Sequence, residues 1–325
     1  MSNTVLEVSD LSVRINWSGD RTHAVQGINL TVGADEIVCV VGESGSGKSV
    51  TAQAVMGLLP AGAMQVETGS IRLQGDQLLT KSDAELRAVR GTRMAMVFQE
   101  PMTALNPVER VGDQIREVLE IHTSLDMKQQ RARVLEMMRA VHLPDPEQMI
   151  DAYPHQLSGG QRQRIMIAAA LVLDPALLIA DEPTTALDVT IQAQILELIQ
   201  ELQSRTGTAL LLITHDLGVV AQWADRISVM YAGRIVEEAG IKPFFAEPLH
   251  PYSRGLLGAR VDVDADEHYS LNRLSEIPGS VGSAAGETGC SFAPRCPIVV
   301  PGCRLAPPPL VARGERAVAC PKVGE

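Results

Sequence analysis

A chain of 325 residues, 45% apolar, 21% charged and only 3% aromatic, is long enough for one large folded domain with an appendage and must build an aliphatic core. That composition excludes a disordered or collagen-like chain. The net charge of −11 supplies no global basic field for DNA or RNA, and the scarcity of aromatics argues against a base-stacking reader of single strands.

In chain order, Leu6–Ile15 and Ala24–Val32 alternate as half-buried strands. Ile37–Val41 is a continuous apolar run ending at Gly42, the mark of a strand buried on both faces. Ser49–Leu59 reads as a helix ending before Pro60. A second apolar run, Met94–Phe98, precedes a helical stretch from about Val111 to Leu143, stopped by Pro144 and Pro146. Gly159–Leu173 and Ile191–Gln203 read as helices, and Leu177–Ala180, Ala209–Thr214 and Ile227–Ala232 as strands. Strands alternating with helices predict an α/β core around a parallel sheet. After about Ile241 prolines interrupt every periodicity, which predicts a loop-rich appendage of about 85 residues held by something other than a core. The longest apolar stretch, Ile165–Leu173, is far short of the roughly 20 residues that cross a bilayer. The opening MSNTVLEVSD carries an early acid and no basic-then-apolar signal, so the chain reads as cytosolic.

Gly42-Glu43-Ser44-Gly45-Ser46-Gly47-Lys48-Ser49 matches the P-loop pattern and lies between a strand and a helix, as its mechanism demands. The glycines let successive backbone N–H groups wrap phosphates, Lys48 reaches the β- and γ-oxygens, and Ser49 offers a hydroxyl to Mg²⁺. The strand Leu177–Ala180 ends in Asp181 and Glu182. Beside a P-loop, Asp181 is placed to hold Mg²⁺ directly or through water, and Glu182 to polarise the attacking water. Leu157-Ser158-Gly159-Gly160-Gln161 opens a predicted helix. By itself it could be a Gly-rich N-cap, but Ser158, Gly159, Gly160 and Gln161 also make a second phosphate-binding end. The two ends are about 110 residues apart, and the economical arrangement is a head-to-tail dimer that sandwiches each ATP between one chain's P-loop and its partner's LSGGQ.

Over roughly residues 5–240 these ordered motifs resemble the nucleotide-binding subunits of ABC transporters. The resemblance implies a P-loop NTPase fold: a RecA-like α/β core, an antiparallel β subdomain and a helical subdomain at about 100–175. Residues 1–240 would form the nucleotide-binding domain and 241–325 a C-terminal extension. By the same resemblance Gln99 is the Q-loop glutamine that touches Mg²⁺ and the attacking water, Ala186-Leu187-Asp188 is the D-loop, and His215 is the switch histidine that contacts the γ-phosphate. Adenine would stack on an aromatic upstream of the P-loop, with Trp17 the first candidate and His23 the second; a strand-edge core role for Trp17 stays open. Val50 departs from the Thr that often follows the P-loop Ser, so only its backbone N–H can serve the α-phosphate. Lys48, Gln99, Asp181, Glu182 and His215 are all present, so the site should hydrolyse ATP.

Narrower features resemble the oligopeptide/dipeptide importer ATPases: Phe98–Pro107, Thr184–Thr190, His250-Pro251-Tyr252, Ile277-Pro278-Gly279 and Pro294-Arg295-Cys296. That resemblance implies a peripheral subunit on the cytoplasmic face of the inner membrane. Its implied partners are a second, unlike ATPase, two transmembrane permeases and an extracytoplasmic binding protein, with no nucleic acid. The alternative, an ABC-type ATPase of DNA repair or translation, typically carries coiled-coil insertions, zinc modules or tandem ATPase domains, and this sequence has a single set of motifs. Of the five cysteines, Cys39 reads as a buried hydrophobe, whereas Cys290, Cys296, Cys303 and Cys320 cluster in the tail. A reducing cytosol disfavours disulfides, and zinc usually takes shorter Cys pairs. The wide spacing, with Pro297 and Pro321 each after a cysteine, suits a [4Fe–4S] cluster ahead of zinc.

Overall fold

The computed structural model describes residues 3–17, 21–98, 104–185, 187–259 and 277–323. The chain divides into two compact units, Met1–Glu7 with Thr31–Ile37 and Arg72–Ile213, and Val8–Leu30 with Val38–Ile71 and Thr214–Glu325. Its strands, in chain order, are β1 (Thr4–Ile15), β2 (His23–Gly33), β3 (Ile37–Val41), β4 (Met64–Leu73), β5 (Asp76–Gln77), β6 (Met94–Val97), β7 (Leu177–Asp181), β8 (Ala209–Thr214), β9 (Arg226–Tyr231), β10 (Arg234–Gly240), β11 (Val311–Arg313) and β12 (Arg316–Val318).

In the first unit β6, β7 and β8 form a parallel ladder, with Met94 opposite Leu177 and Leu177 opposite Ala209. Every residue of β7 and β8 is buried, as an apolar run covered on both faces requires. Each Leu or Ile so buried contributes roughly 1.5–3 kcal/mol relative to exposure. Helices Val111–His122, Met127–Ala140 and Gly159–Leu171 pack on one another in the same unit. The helical stretch expected over 111–143 divides into two helices. Asp126 starts the second with a reciprocal cap: its carboxylate accepts from the Gln129 N–H at 2.8 Å while the Gln129 side chain accepts from the Asp126 N–H at 2.9 Å. Two orphan donors satisfied at once outweigh a continuous helix through Thr123–Leu125.

In the second unit β3 and β9 run parallel, with Val41 opposite Val229, while β9, β10, β12 and β11 are successive antiparallel neighbours. Strands β10 and β4 escaped the sequence reading, as did the helices Asp83–Val89 and Leu217–Trp223. The tail departs from the expectation that no core holds it. Its β12 pairs with β10, Glu237 opposite Val318, and Phe292, Ala293, Val318 and Ala319 are buried. Phe292 packs edge-on against Tyr231, ring centroids 5.2 Å apart, so aromatic burial anchors a segment with little regular structure.

Candidate active site

The phosphate loop belongs to the second unit. It leaves β3 at Gly42 and enters the helix Lys48–Met56 through Gly47, which caps it with φ +109° and no side-chain hydrogen bond. Glycine is required at both hinges: a Cβ on Gly42 would lie 2.1 Å from the Met230 carbonyl oxygen, and one on Gly47 2.6 Å from that of Ala24. Lys48 is buried and turned into the loop, its Nζ donating to the carbonyls of Gly42 at 2.8 Å and Glu43 at 3.1 Å. Among the described residues the fully buried Ser46 hydroxyl has no hydrogen-bond partner, an orphan that a bound anion would relieve. Ser44 and Gly45 are exposed at the rim; Ser49 and Val50 are half-buried in the first helical turn. An inward lysine, a buried unpaired hydroxyl and an uncapped helix start together fit a triphosphate.

The same unit carries His215, exposed at the end of β8, and an open cavity of about 450 Å³ is lined by Gly42, Glu43, His215 and Asp216. Asp216 caps the following helix, accepting from the Gly218 N–H at 2.7 Å, which frames the loop carrying His215. Trp17 is 54% exposed, so it is not a strand-edge core residue. Its runner-up, His23, is engaged by Glu67 at 2.6 Å.

The first unit carries the other half of the predicted residues. Asp181 is buried at the end of β7. Glu182 follows with φ +46°, a conformation rare for a residue with a side chain. Its N–H donates to the Ile213 carbonyl at 2.9 Å, and the Thr185 hydroxyl donates to its carboxylate at 3.0 Å. A kinked, tethered carboxylate at a buried strand end is geometry suited to a positioned base. Ser158 differs from the bare anion-gripping end expected of it. It forms a capping box with Gln161, its hydroxyl accepting from the Gln161 N–H at 3.3 Å while its own N–H donates to the Gln161 side chain at 2.9 Å. Gly160 is a glycine for a second reason. A Cβ on Gly160 would meet the Ile191 methyl at 2.9 Å, and one on Gly159 would lie 3.4 Å from Leu187 of the predicted D-loop. Gln99 and Ala186 fall outside the described residues.

The tail cysteines draw near one another. The Cys290 N–H donates to the Cys303 carbonyl at 2.7 Å, and the Cys290 thiol is pushed up to about 11, by burial first and then by the charges of Cys296, Cys320 and Cys303. Backbone N–H groups of Phe292 and Ile298 favour the thiolates of Cys290 and Cys296. Among the described residues no group of three or more such side chains is arranged to hold a metal ion, so the convergence stops short of a ligand set.

Sequence reasoning gave no role to Arg21, whose guanidinium donates to the Gly45 carbonyl at 2.6 Å, or to Tyr252 and Arg295, which reach Glu43 from 209 and 252 residues away. Tyr252 and Arg295 stood out only as parts of narrow motifs.

Comparison with known proteins agrees with this geometry. Residues 25–185 match the ABC transporter family, and 236–303 match the oligopeptide/dipeptide transporter C-terminal region. The probable peptide ABC transporter ATP-binding protein y4tR of Sinorhizobium fredii is 48% identical over 310 residues, 95% of this chain and 92% of that protein. The chain belongs to the ABC transporter family, in its oligopeptide/dipeptide branch. The oligopeptide transport ATP-binding protein OppD of Mycobacterium tuberculosis is 50% identical over 97% of this chain, which spans 51% of that longer relative. The ATP-binding cassette MJ0796, solved as a dimer with ADP and Pi, aligns with a TM-score of 0.64 at 26% identity, covering 73% of this chain and 98% of that one. The fold is the P-loop NTPase fold of ABC ATPases, as the motifs led one to expect. Like its family, the chain is an ATPase subunit for which ATP and Mg²⁺ are the expected ligands.

Proposed function

We propose that this ATPase powers uptake of dipeptides or oligopeptides through an ABC importer, seated on the cytoplasmic face of the membrane. The observation that carries the reading is the phosphate loop with Lys48 folded into it, in a chain whose residues 236–303 match the peptide-transporter C-terminal region. No described helix is long and apolar enough to cross a membrane, so permease partners would form the path. Residues 1–240 are read as the nucleotide-binding domain, with its helical part at about 100–175, and 241–325 as the extension. The alternative in DNA repair or translation finds no support among the matched relatives.

In this reading Gly42, Ser44, Gly45, Ser46, Gly47 and Lys48 cradle the phosphates, Val50 adds a backbone donor, and Trp17 carries the adenine. Mg²⁺ held by Ser49, Gln99 and Asp181 would neutralise charge building on the γ-phosphate. Glu182 takes the proton of the attacking water, and His215 holds the γ-phosphate in line. Ser158, Gly159, Gly160 and Gln161 serve the ATP of a partner ATPase, the Ser158 hydroxyl donating to a phosphate oxygen while its oxygen keeps the Gln161 N–H. The test is to tag the subunit in its native cell, extract the membranes in mild detergent and identify what co-purifies. Two permeases, a second LSGGQ subunit and a binding protein are expected; recovery with ribosomes or DNA alone overturns the transport reading.

The finer reading of the tail is that Cys290, Cys296, Cys303 and Cys320 hold a [4Fe–4S] cluster, with zinc second. Its support is the approach of four cysteines and the N–H groups aimed at two of the sulfurs. Anaerobic purification followed by iron, acid-labile sulfide and zinc assays decides it, and colourless, metal-free protein with four titratable tail thiols overturns it.

A further inference from the structure

A loop that gathers phosphates is an unfavourable place for a carboxylate, yet Glu43 stands inside the glycine-rich turn. Two distant stretches of the second unit reach it, and a third backs one of them. Arg295 donates from one guanidinium nitrogen to both Glu43 oxygens at 3.0 Å. Its Nε donates to the Pro278 carbonyl at 2.7 Å and its other nitrogen to that of Ile277 at 3.1 Å. The Arg295 side chain is only 3% exposed and lies over the Tyr231 and Phe292 rings, 5.7 and 6.0 Å from their centroids. From a second direction the Tyr252 hydroxyl accepts the Glu43 backbone N–H at 2.9 Å, and its ring packs against Tyr231 and Phe292. The His-Pro-Tyr and Pro-Arg-Cys segments thus meet on one residue of the phosphate loop, with the Ile-Pro-Gly segment holding Arg295 from behind.

A guanidinium buried among aromatic rings, with its donors committed to two carbonyls and a carboxylate, cannot swing away without stranding buried polar groups. It does two things for the loop. It cancels the Glu43 charge that would otherwise repel phosphate oxygens, and with Tyr252 it holds the first turn beside the Gly42 and Glu43 carbonyls that receive Lys48.

We propose that Arg295 is a positioning residue for the nucleotide site, through which the C-terminal extension sets the affinity of the phosphate loop for ATP. The assignment rests on the ATPase reading above. It is tested on the full subunit by ATP KM, kcat and ADP binding for Arg295→Met, Arg295→Lys, Glu43→Gln and the double variant Arg295→Met/Glu43→Gln. Arg295→Met, which leaves Glu43 charged and alone, should raise the ATP KM and the ADP Kd about tenfold while kcat at saturation falls far less. Glu43→Gln should cost about threefold at most, and adding it to Arg295→Met should restore most of the lost affinity, because the stranded carboxylate is gone. Arg295→Lys, keeping the charge without the fork, should fall between wild type and Arg295→Met. Wild-type KM and Kd in a folded Arg295→Met with a lowered melting temperature would mean that Arg295 only stitches the tail, and additive rather than suppressing effects in the double variant would equally overturn the assignment. If Arg295→Met does not fold, Arg295→Lys decides alone, and an unchanged KM rejects the proposal. A wild type without ATPase activity overturns the functional reading and the clamp with it; an active wild type with an indifferent Arg295 variant overturns the clamp alone.

Discussion

The chain has two glycine-rich helix starts, and they are built on opposite plans. At Gly47 the helix carries no side-chain cap, a lysine folds into the turn, and Arg21, Tyr252 and Arg295 grip the loop from outside. At Ser158 the helix caps itself through its own Ser and Gln, and its glycines serve contact with Ile191 and Leu187. The first is a preformed anion site whose rigidity is supplied by distant sequence. The second satisfies the Gln161 N–H from within its own turn and has the Ser158 hydroxyl proton to offer an anion. The preformed site should bind ATP first, and the self-capped one can join afterwards at little cost, since its Ser158 hydroxyl can donate to a phosphate while still accepting the Gln161 N–H.

The order of events is tested most severely at Glu182. Glu182→Gln removes the base and leaves both helix starts intact. Turnover should fall by about a hundredfold or more, while ATP binding persists and ATP now holds two ATPase subunits together in size-exclusion chromatography. Undiminished hydrolysis would remove Glu182 from the mechanism. Close behind comes a pair of alanine substitutions. Gly42→Ala drives a Cβ to 2.1 Å from a backbone oxygen that cannot yield, and should destabilise the chain by about 3 kcal/mol or more, abolishing nucleotide binding. Gly160→Ala meets a side-chain methyl at 2.9 Å, which can shift, and should cost no more than about 1 kcal/mol. Equal melting temperatures for the two variants would erase the distinction between the loops.

Acid separates them further. His250 is buried, its Nδ1 accepts the Tyr252 N–H at 3.1 Å, and its backbone N–H donates to the Glu237 carboxylate at 2.8 Å. Burial holds its imidazole down at about 3, against 6.5 when solvated. The unfolded chain therefore takes up this proton first. The contribution of His250 is whole above about pH 6.5 and is lost as pH falls towards 3, a difference on the order of a few kcal/mol. Because His250 starts the helix that presents Tyr252 to Glu43, the phosphate loop should loosen with it, whereas the Ser158–Gln161 cap contains no titrating group. Chemical denaturation of wild type and His250→Asn across pH 4–7 measures the difference, and parallel curves would refute the role.

How far the sequence reveals these features follows from which forces leave a local trace. Strands β3, β7 and β8 were legible because burial on both faces demands unbroken apolar runs. Strand β4 was not, since most of it is exposed or half-buried, and β10 reads Arg-Ile-Val-Glu-Glu-Ala-Gly, too polar to signal a strand. Lys48, Asp181 and Glu182 could be proposed from the sequence because phosphate chemistry calls for those residue types at motif spacing, and His215 only through the family resemblance. The grip of Arg295 on Glu43 joins residues 252 apart, and no periodicity records such a pair. The tail cysteines show the same limit, since their number is plain in the sequence and their approach to one another is not.

The smallest effect distinguishes the two helix starts most directly. Ser158→Ala removes the hydroxyl that accepts the Gln161 N–H and should cost about 1 kcal/mol, the usual loss for an N-cap. ATP binding by the isolated subunit should not change, because its phosphate loop lies in the other unit and none of its hydrogen bonds described above involves Ser158. The effect on function should emerge only on assembly, as weaker ATP-driven pairing of subunits and lower turnover, because the hydroxyl needed by the partner's phosphate is missing. A Ser158→Ala variant that already binds ATP poorly as a monomer would mean that the two helix starts are coupled within one chain. The contrast between a preformed site and a self-capped one would then have to be abandoned.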